Sequence, residues 1–326
     1  MGSSGFFAGF TRRTSNDEND GGLGPVLTPP GLEGNARLPD GRKLSFAEYG
    51  DPRGRPVVWM HGTPGGRRQI PQEARVAAAE TGLRLICIDR PGCGRSTRYQ
   101  YNHIIEFADD LEVVVDLLGI DEFAMVGLSG GGPYVLASAY ALSPRVKAAA
   151  VLGGVAPSVG PDAAEGGPVK LTAQLQPLLV HLRSPLAFTV SALVTAARPL
   201  GTPALVAYAW ASPPGDRRVL NRPEIRAMFL DDIFSSGRLH AAVYDLGLFG
   251  REWGFRVEDV KIPIRWWHGD ADHIIPFRHG QHMVSLLPDA ELFVLPGESH
   301  LGSLPVAERI LADLAETWDR VTTSGG

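Results

Sequence analysis

Short apolar runs alternate with amphipathic stretches along the first half of the chain. PVVWMHG (56–62), LRLICIDRPG (83–92), EFAMVGL (122–128) and VKAAAVLGG (146–154) each hold a brief, unbroken apolar segment. That is the pattern of strands covered on both faces. Between them, PQEARVAAAETG (71–82) and IIEFADDLEVVVDLLGI (104–120) predict helices stopped by Gly82 and Gly119, and a third helix is expected from about 131 to 142. Ahead of these, NARLPDGRKLSFAEYG (35–50) predicts a hairpin turning at Pro39-Asp40-Gly41. Apolar strands alternating with helices make the fold class α/β, with a mostly parallel sheet between two layers of helix.

The rhythm stops near residue 156. From there to about 258 the patterns are helical: LTAQLQPLLVHL, PLAFTVSALVTAA, ALVAYAWA, PEIRAMFLDDIFSS and RLHAAVYDLGLF, interrupted by prolines. It then resumes with IPIRWWHGD (262–270), a helix near 277–287, ELFVLPG (291–297) and a last helix over about 304–318. The expected organisation is a disordered tail over 1–33, a core in two parts (34–155 and 259–326), and an inserted helical cap over 156–258. Leu171, Leu175, Leu178, Leu179, Leu182, Leu186, Phe188, Val190, Leu193, Leu205, Tyr208 and Trp210 supply that cap with apolar surface.

Composition narrows the class. Hydrophobic residues make up 44% of the 326 positions and charged residues 21%, which suits one large globular core. A net charge of −5 leaves no basic footprint for nucleic acid. The local basic clusters, Arg67-Arg68 and Arg90 to Arg98, read as solvated loops. The longest apolar stretch, near 184–197, is shorter than the ~20 residues a bilayer span needs. The N-terminus lacks an apolar secretory segment, so a cytoplasmic location is expected. The two cysteines have neither disulfide nor metal spacing: Cys87 reads as a buried strand residue, Cys93 as a loop thiol.

The candidate chemistry begins at VGLSGGGPY (126–134). A nucleophilic serine must stand clear of its sheet on a sharp strand-to-helix turn, with small neighbours two before and two after. Gly127 and Gly131 meet that requirement around Ser129. In a chain with 39 glycines a chance G-x-S-x-G is unsurprising, so the flanking strand and helix carry the argument. The oxyanion formed by such a serine needs backbone N–H donors. Gly130, next to the serine, is one candidate. The loop MHGTPGG (60–66) supplies the other, and because Pro64 has no N–H, Thr63 is the expected donor. His61 is expected to brace this loop through backbone hydrogen bonds rather than act as a base.

A base and an orienting carboxylate should follow the serine, in the order acid then histidine. HGDADHIIP (268–276) offers Asp270, Asp272 and His273, and PGESHLGSL (296–304) offers Glu298 and His300. Both loops follow apolar strands, on the rim where a parallel sheet binds ligands. Asp272 and His300 are assigned as acid and base, with Asp270 competing as acid or capping the turn.

Taken in order, HGTPGG, IDRPGCGRS (88–96), GLSGG, HGDADHIIP and GESH resemble the α/β-hydrolase superfamily over about residues 36–318. The nearest likeness is its capped branch of esterases, lactonases, cofactor-free haloperoxidases and carbon–carbon bond hydrolases. The resemblance implies that the aspartate of G-x-x-D-x-x-x-P is the acid, which Gly269, Asp272 and Pro276 match. Epoxide hydrolases and haloalkane dehalogenases share the His-Gly-x-Pro loop but carry an aspartate nucleophile; Ser129 argues against both reactions.

The expectation is therefore a serine hydrolase acting on a small, largely apolar ester or lactone through Ser129, His300 and Asp272. Thr63 and Gly130 would hold the oxyanion, with no cofactor, no metal, a small-molecule substrate as partner and the oligomeric state left open. Carbon–carbon hydrolysis or peracid formation could use the same triad. A ligand-binding receptor on this fold is the alternative of another class.

Overall fold

In the computed structural model, residues 27–166, 200–236 and 240–324 are described, together with 186, 188–189, 192–193 and 196. The apolar runs pair into one eight-stranded sheet of order β1-β2-β4-β3-β5-β6-β7-β8. Its strands are β1 (Leu32–Arg37), β2 (Lys43–Gly50), β3 (Arg55–Met60), β4 (Leu83–Ile88), β5 (Phe123–Leu128), β6 (Val146–Leu152), β7 (Ile264–Gly269) and β8 (Ala290–Leu295). β1 and β2 form the antiparallel hairpin, β2 joins β4 antiparallel, and every other pairing is parallel.

Side chains alternate across each strand. Val58 and Met60 of β3 join the core on one sheet face, and Val57 and Trp59 join the core on the other. Central β5 is buried throughout, which is why it reads as an unbroken apolar run; β7 is equally buried although it carries Arg265 and His268, whereas the edge strands β1 and β8 are only partly covered. Cys87 is buried in β4, as expected, and Cys93 is buried as well.

Register decides where the loops go. Met60 pairs with Gly127, Gly127 with Val151, Leu152 with Trp267, and Gly269 with Leu295. The C-terminal ends of β3, β5, β6, β7 and β8 are therefore level, and the loops leaving them share one rim of the sheet.

The helices of the α/β rhythm are α1 (Gln72–Thr81), α2 (Phe107–Leu117), α3 (Gly132–Ala141), α8 (Phe277–Leu286) and α9 (Ala307–Ser324). Gly82 ends α1 in the left-handed conformation at φ 67°. Two boundaries differ from expectation. The hairpin starts at Leu32 rather than Asn35, so residues 27–33 are part of the described fold, and Glu33 binds Arg67 and Arg68. The last helix continues past 318 because Trp318 seals the second core cluster.

Between β6 and β7, the described residues form α4 (Gly201–Ala211), α5 (Pro214–Leu220), α6 (Pro223–Ser236) and α7 (His240–Phe249). LTAQLQPLLVHL and most of PLAFTVSALVTAA lie outside the described residues. Val219, Ile225 and Met228 pack into one core, Leu248 and Phe249 into the other, so this segment grips both faces of the sheet. Of the apolar side chains expected to fill it, Leu186, Phe188, Leu193, Tyr208 and Trp210 are exposed. No helix among the described residues is long and apolar enough to cross a membrane.

Candidate active site

Ser129 follows β5 directly. Its φ of 52° is the only positive value at a non-glycine residue among those described. The left-handed region costs an L-residue of order 1 kcal/mol or more, and such conformations cluster at functional turns. A turn Ser129–Gly131 then leads into α3, where Pro133 sits in the first turn and its missing N–H is harmless. Gly131 is required by backbone contact: a Cβ there would run into the carbonyl of Met60. The serine is thus held above the rim by the packing of β3 against the turn.

His300 and Asp272 arrive from the loops after β8 and β7. Ser129 Oγ lies 2.9 Å from His300 Nε2, and His300 Nδ1 lies 2.7 Å from Asp272 Oδ2. The far oxygen, Oδ1, accepts the N–H groups of Ile274 at 2.8 Å and Ile275 at 2.9 Å. Burial pushes the Asp272 carboxyl up, but hydrogen bonds from His268 and His300 outweigh it and hold it well below the ordinary carboxylate range.

His268 is a member of this cluster that sequence reasoning passed over. Its Nδ1 accepts from the Trp266 indole at 3.1 Å, and its Nε2 donates to the Ile275 carbonyl at 2.9 Å, with Asp272 Oδ2 3.3 Å away. The indole, a donor only, fixes the tautomer. The competing candidates are elsewhere occupied. Asp270 braces the turn twice over: its side chain accepts the Gly297 N–H at 2.7 Å and its backbone N–H donates to the Leu295 carbonyl at 3.3 Å. His273 bonds the Ser299 hydroxyl at 2.9 Å, and Glu298 pairs with Arg218 at the surface.

On the opposite side, Thr63 packs against Gly130 so closely that its side chain would block a Cβ there. The loop bearing Thr63 is braced throughout. His61 Nδ1 donates to the Gly62 carbonyl at 2.8 Å, as expected, while Gln69 accepts the Gly62 N–H at 2.6 Å. Burial and the nearby Arg90 charge hold the His61 imidazole well below its ordinary range, which keeps it neutral.

The reading of the basic clusters as solvated loops is corrected for Arg67 and Arg90. Both are buried, because buried carboxylates, Asp89 and Asp245 respectively, face them. Arg90 donates to the carbonyls of His61 and Gly62, to Thr63 Oγ1 at 2.8 Å and to Asp245 Oδ2 at 2.7 Å. Asp245 also accepts from the Thr63 hydroxyl and the Tyr134 phenol, each at 2.6 Å. Desolvation, and then the Asp245 charge, push the Tyr134 hydroxyl well above its usual range, so it remains a donor. Among the described residues no group of His, Cys, Asp and Glu is arranged to hold a metal ion.

Residues 55–305 match the family model described as alpha/beta hydrolase fold. A bifunctional esterase/perhydrolase of Acinetobacter calcoaceticus is 26% identical over 84% of this chain and 95% of its own length. A proline iminopeptidase of Xanthomonas citri is 34% identical over 125 residues, but the match covers only 37% of this chain and 38% of that protein. Among solved structures, a thermophilic esterase of Thermogutta terrifontis superposes with a TM-score of 0.64 at 20% identity, over 89% of this chain and 99% of that one. A bromoperoxidase of Bacillus anthracis gives 0.63 at 22%, over 87% and 98%. At such identities the superpositions establish the fold alone; the family match over most of the chain establishes more. The chain belongs to the alpha/beta hydrolase fold family of enzymes.

Proposed function

We propose that this enzyme hydrolyses a small, largely apolar carboxylic ester or lactone through an acyl-enzyme on Ser129. The observation that carries the reading is the unbroken hydrogen-bond chain from Ser129 through His300 to Asp272, on a serine held at positive φ. In this scheme His300 Nε2 takes the hydroxyl proton as Ser129 Oγ attacks the acyl carbon. Asp272 stays ionised, fixes the His300 tautomer and balances the imidazolium that forms. The N–H groups of Thr63 and Gly130 receive the oxyanion. Collapse breaks the acyl–oxygen bond, and His300 returns the proton to the leaving alcohol. Water, activated the same way, then frees the acid and restores Ser129.

The segment 156–258 acts as a cap in this proposal, since its helices pack into both cores beside the rim. A second reading has specific support. The Acinetobacter relative, matched over 84% of this chain, carries both esterase and perhydrolase in its name. Hydrogen peroxide attacking the same acyl-enzyme in place of water would yield a peracid.

A fluorophosphonate probe followed by peptide mapping tests the reading against a binding-only role. We expect stoichiometric labelling of Ser129 and none in Ser129→Ala. An unreactive Ser129 in folded protein would overturn the proposal. Initial rates on p-nitrophenyl esters and lactones, with and without peroxide, then separate the two reactions.

A further inference from the structure

The catalytic loops come from the sheet, yet one buried charge beside them comes from the helical segment. Asp245 lies on α7, and it reaches across to Thr63, Arg90 and Tyr134. Phe249, one turn further along the same helix, lies against Gly130. Both proposed oxyanion donors are therefore touched by α7.

The backbone geometry gives this contact a consequence. The Gly62–Thr63 peptide is trans, so its C=O and N–H point in opposite directions. The Gly62 carbonyl is gripped by His61 Nδ1 at 2.8 Å and Arg90 Nη2 at 2.9 Å. Whatever aims that carbonyl aims the Thr63 N–H the other way. Arg90 is in turn held by Asp245 Oδ2, and the same oxygen accepts a hydrogen bond from the Thr63 hydroxyl. Carbonyl and side chain of the loop are thus fixed from a single carboxylate 182 residues away from Thr63.

Resting on the proposed acyl-enzyme reading, we infer that Asp245 is a positioning residue: through Arg90 and Thr63 it sets the direction of the Thr63 N–H. The helix α7 is accordingly a fixed wall of the oxyanion site, not a lid that swings away from it. The pair Asp245–Arg90 is fully desolvated, and Tyr134 satisfies the remaining carboxylate oxygen. This is the environment in which a charge pair orients its neighbours without competition from water.

The test uses the full chain and three variants. Asp245→Asn keeps the shape and removes the charge. Misaiming a donor costs less than the 10²–10³ of losing one, so kcat should fall about tenfold with KM within about twofold. Affinity for a trifluoromethyl ketone, which forms a tetrahedral oxyanion on serine, should fall by the same factor as kcat. Leaving Arg90 unpaired can also unfold the protein. Thr63→Val therefore provides a second reading, removing the hydroxyl but not the N–H. It should show the same matched losses, and Thr63→Ser should recover most of them. Wild-type kcat and ketone affinity in a folded Asp245→Asn or Thr63→Val overturns the inference. Failure of wild-type Ser129 to react with a fluorophosphonate overturns the acyl-enzyme reading itself and the inference with it.

Discussion

The two sides of Ser129 are held in different ways. On one side His300 and Asp272, 28 residues apart, come from neighbouring strand ends and bind each other. On the other, Thr63 depends on Arg90 and Asp245, themselves 155 residues apart and borne by a core loop and an inserted helix. The histidine side is short-range chemistry with its own charge balance. The oxyanion side is long-range geometry, where a buried ion pair holds a backbone carbonyl. On the proposed reading, the difference teaches that loops of the sheet supply the reacting groups, while the helical segment takes part in aiming them.

The comparison can be broken most severely at its centre. Ser129→Ala removes the atom that both sides address and should abolish ester turnover with the fold intact, as steady-state rates and circular dichroism would show. Activity near that of the wild type would end the nucleophile assignment. Next comes the histidine side. Asp272→Asn should lower kcat on the order of 10³–10⁴-fold by losing the tautomer and charge that support His300. Asp270→Asn, which only loosens the Gly297 turn, should cost far less. Reversed effects would show that the wrong carboxylate has been chosen.

The helical segment also touches the histidine side, through Asp216 on α5, which accepts the Leu301 N–H at 2.8 Å. If aiming belongs mainly to the oxyanion side, Asp216→Asn should lower kcat by less than about tenfold, because Asp272 still grips His300. A loss as large as that of Asp272→Asn would erase the distinction between the two sides.

Acid sharpens the picture further. The depressed Asp272 carboxyl stabilises the fold fully above its unfolded value of ~3.9, and this contribution fades as pH falls toward its folded value. The Tm gap between wild type and Asp272→Asn should therefore narrow from neutral pH to about pH 3. A gap that widens would contradict the geometry around Asp272.

The smallest effects concern the segment's apolar surface. Each acyl methylene buried beside it should contribute ~0.8 kcal/mol, roughly fourfold in kcat/KM. Rates on p-nitrophenyl esters should climb from acetate to butyrate or hexanoate and fall for palmitate. A steady climb to long chains would mean that the exposed Tyr208 and Trp210 belong to an open acyl groove instead.

What the sequence made legible follows the same division. Ser129, Asp272 and His300 sit in loops that follow strands of the sheet, and level strand ends bring such loops together, so order along the chain pointed to them, with the G-x-x-D-x-x-x-P resemblance favouring Asp272 over Asp270. His61 was legible as a brace because its loop abuts a strand. Arg90 was misread as solvated because nothing local announces a partner on α7. Asp245 lies in RLHAAVYDLGLF, where a single acid on an apolar helix looks like an exposed position. His268 was hidden inside an apolar strand, although its place two residues after Trp266 and four before Asp272 carried the signal. The apolar stretches of the segment misled in the other direction: Phe188, Leu193 and Trp210 look like core and are exposed.

The central claim, that Ser129 is acylated in turnover, is tested most directly by rapid-quench kinetics with p-nitrophenyl butyrate, coupled to intact-mass detection. The account predicts that p-nitrophenolate release and a single butyryl adduct on Ser129 appear together within one turnover, and that the adduct decays at the rate acid is released. Release of p-nitrophenolate with no adduct at any time, under conditions where deacylation limits turnover, would contradict it.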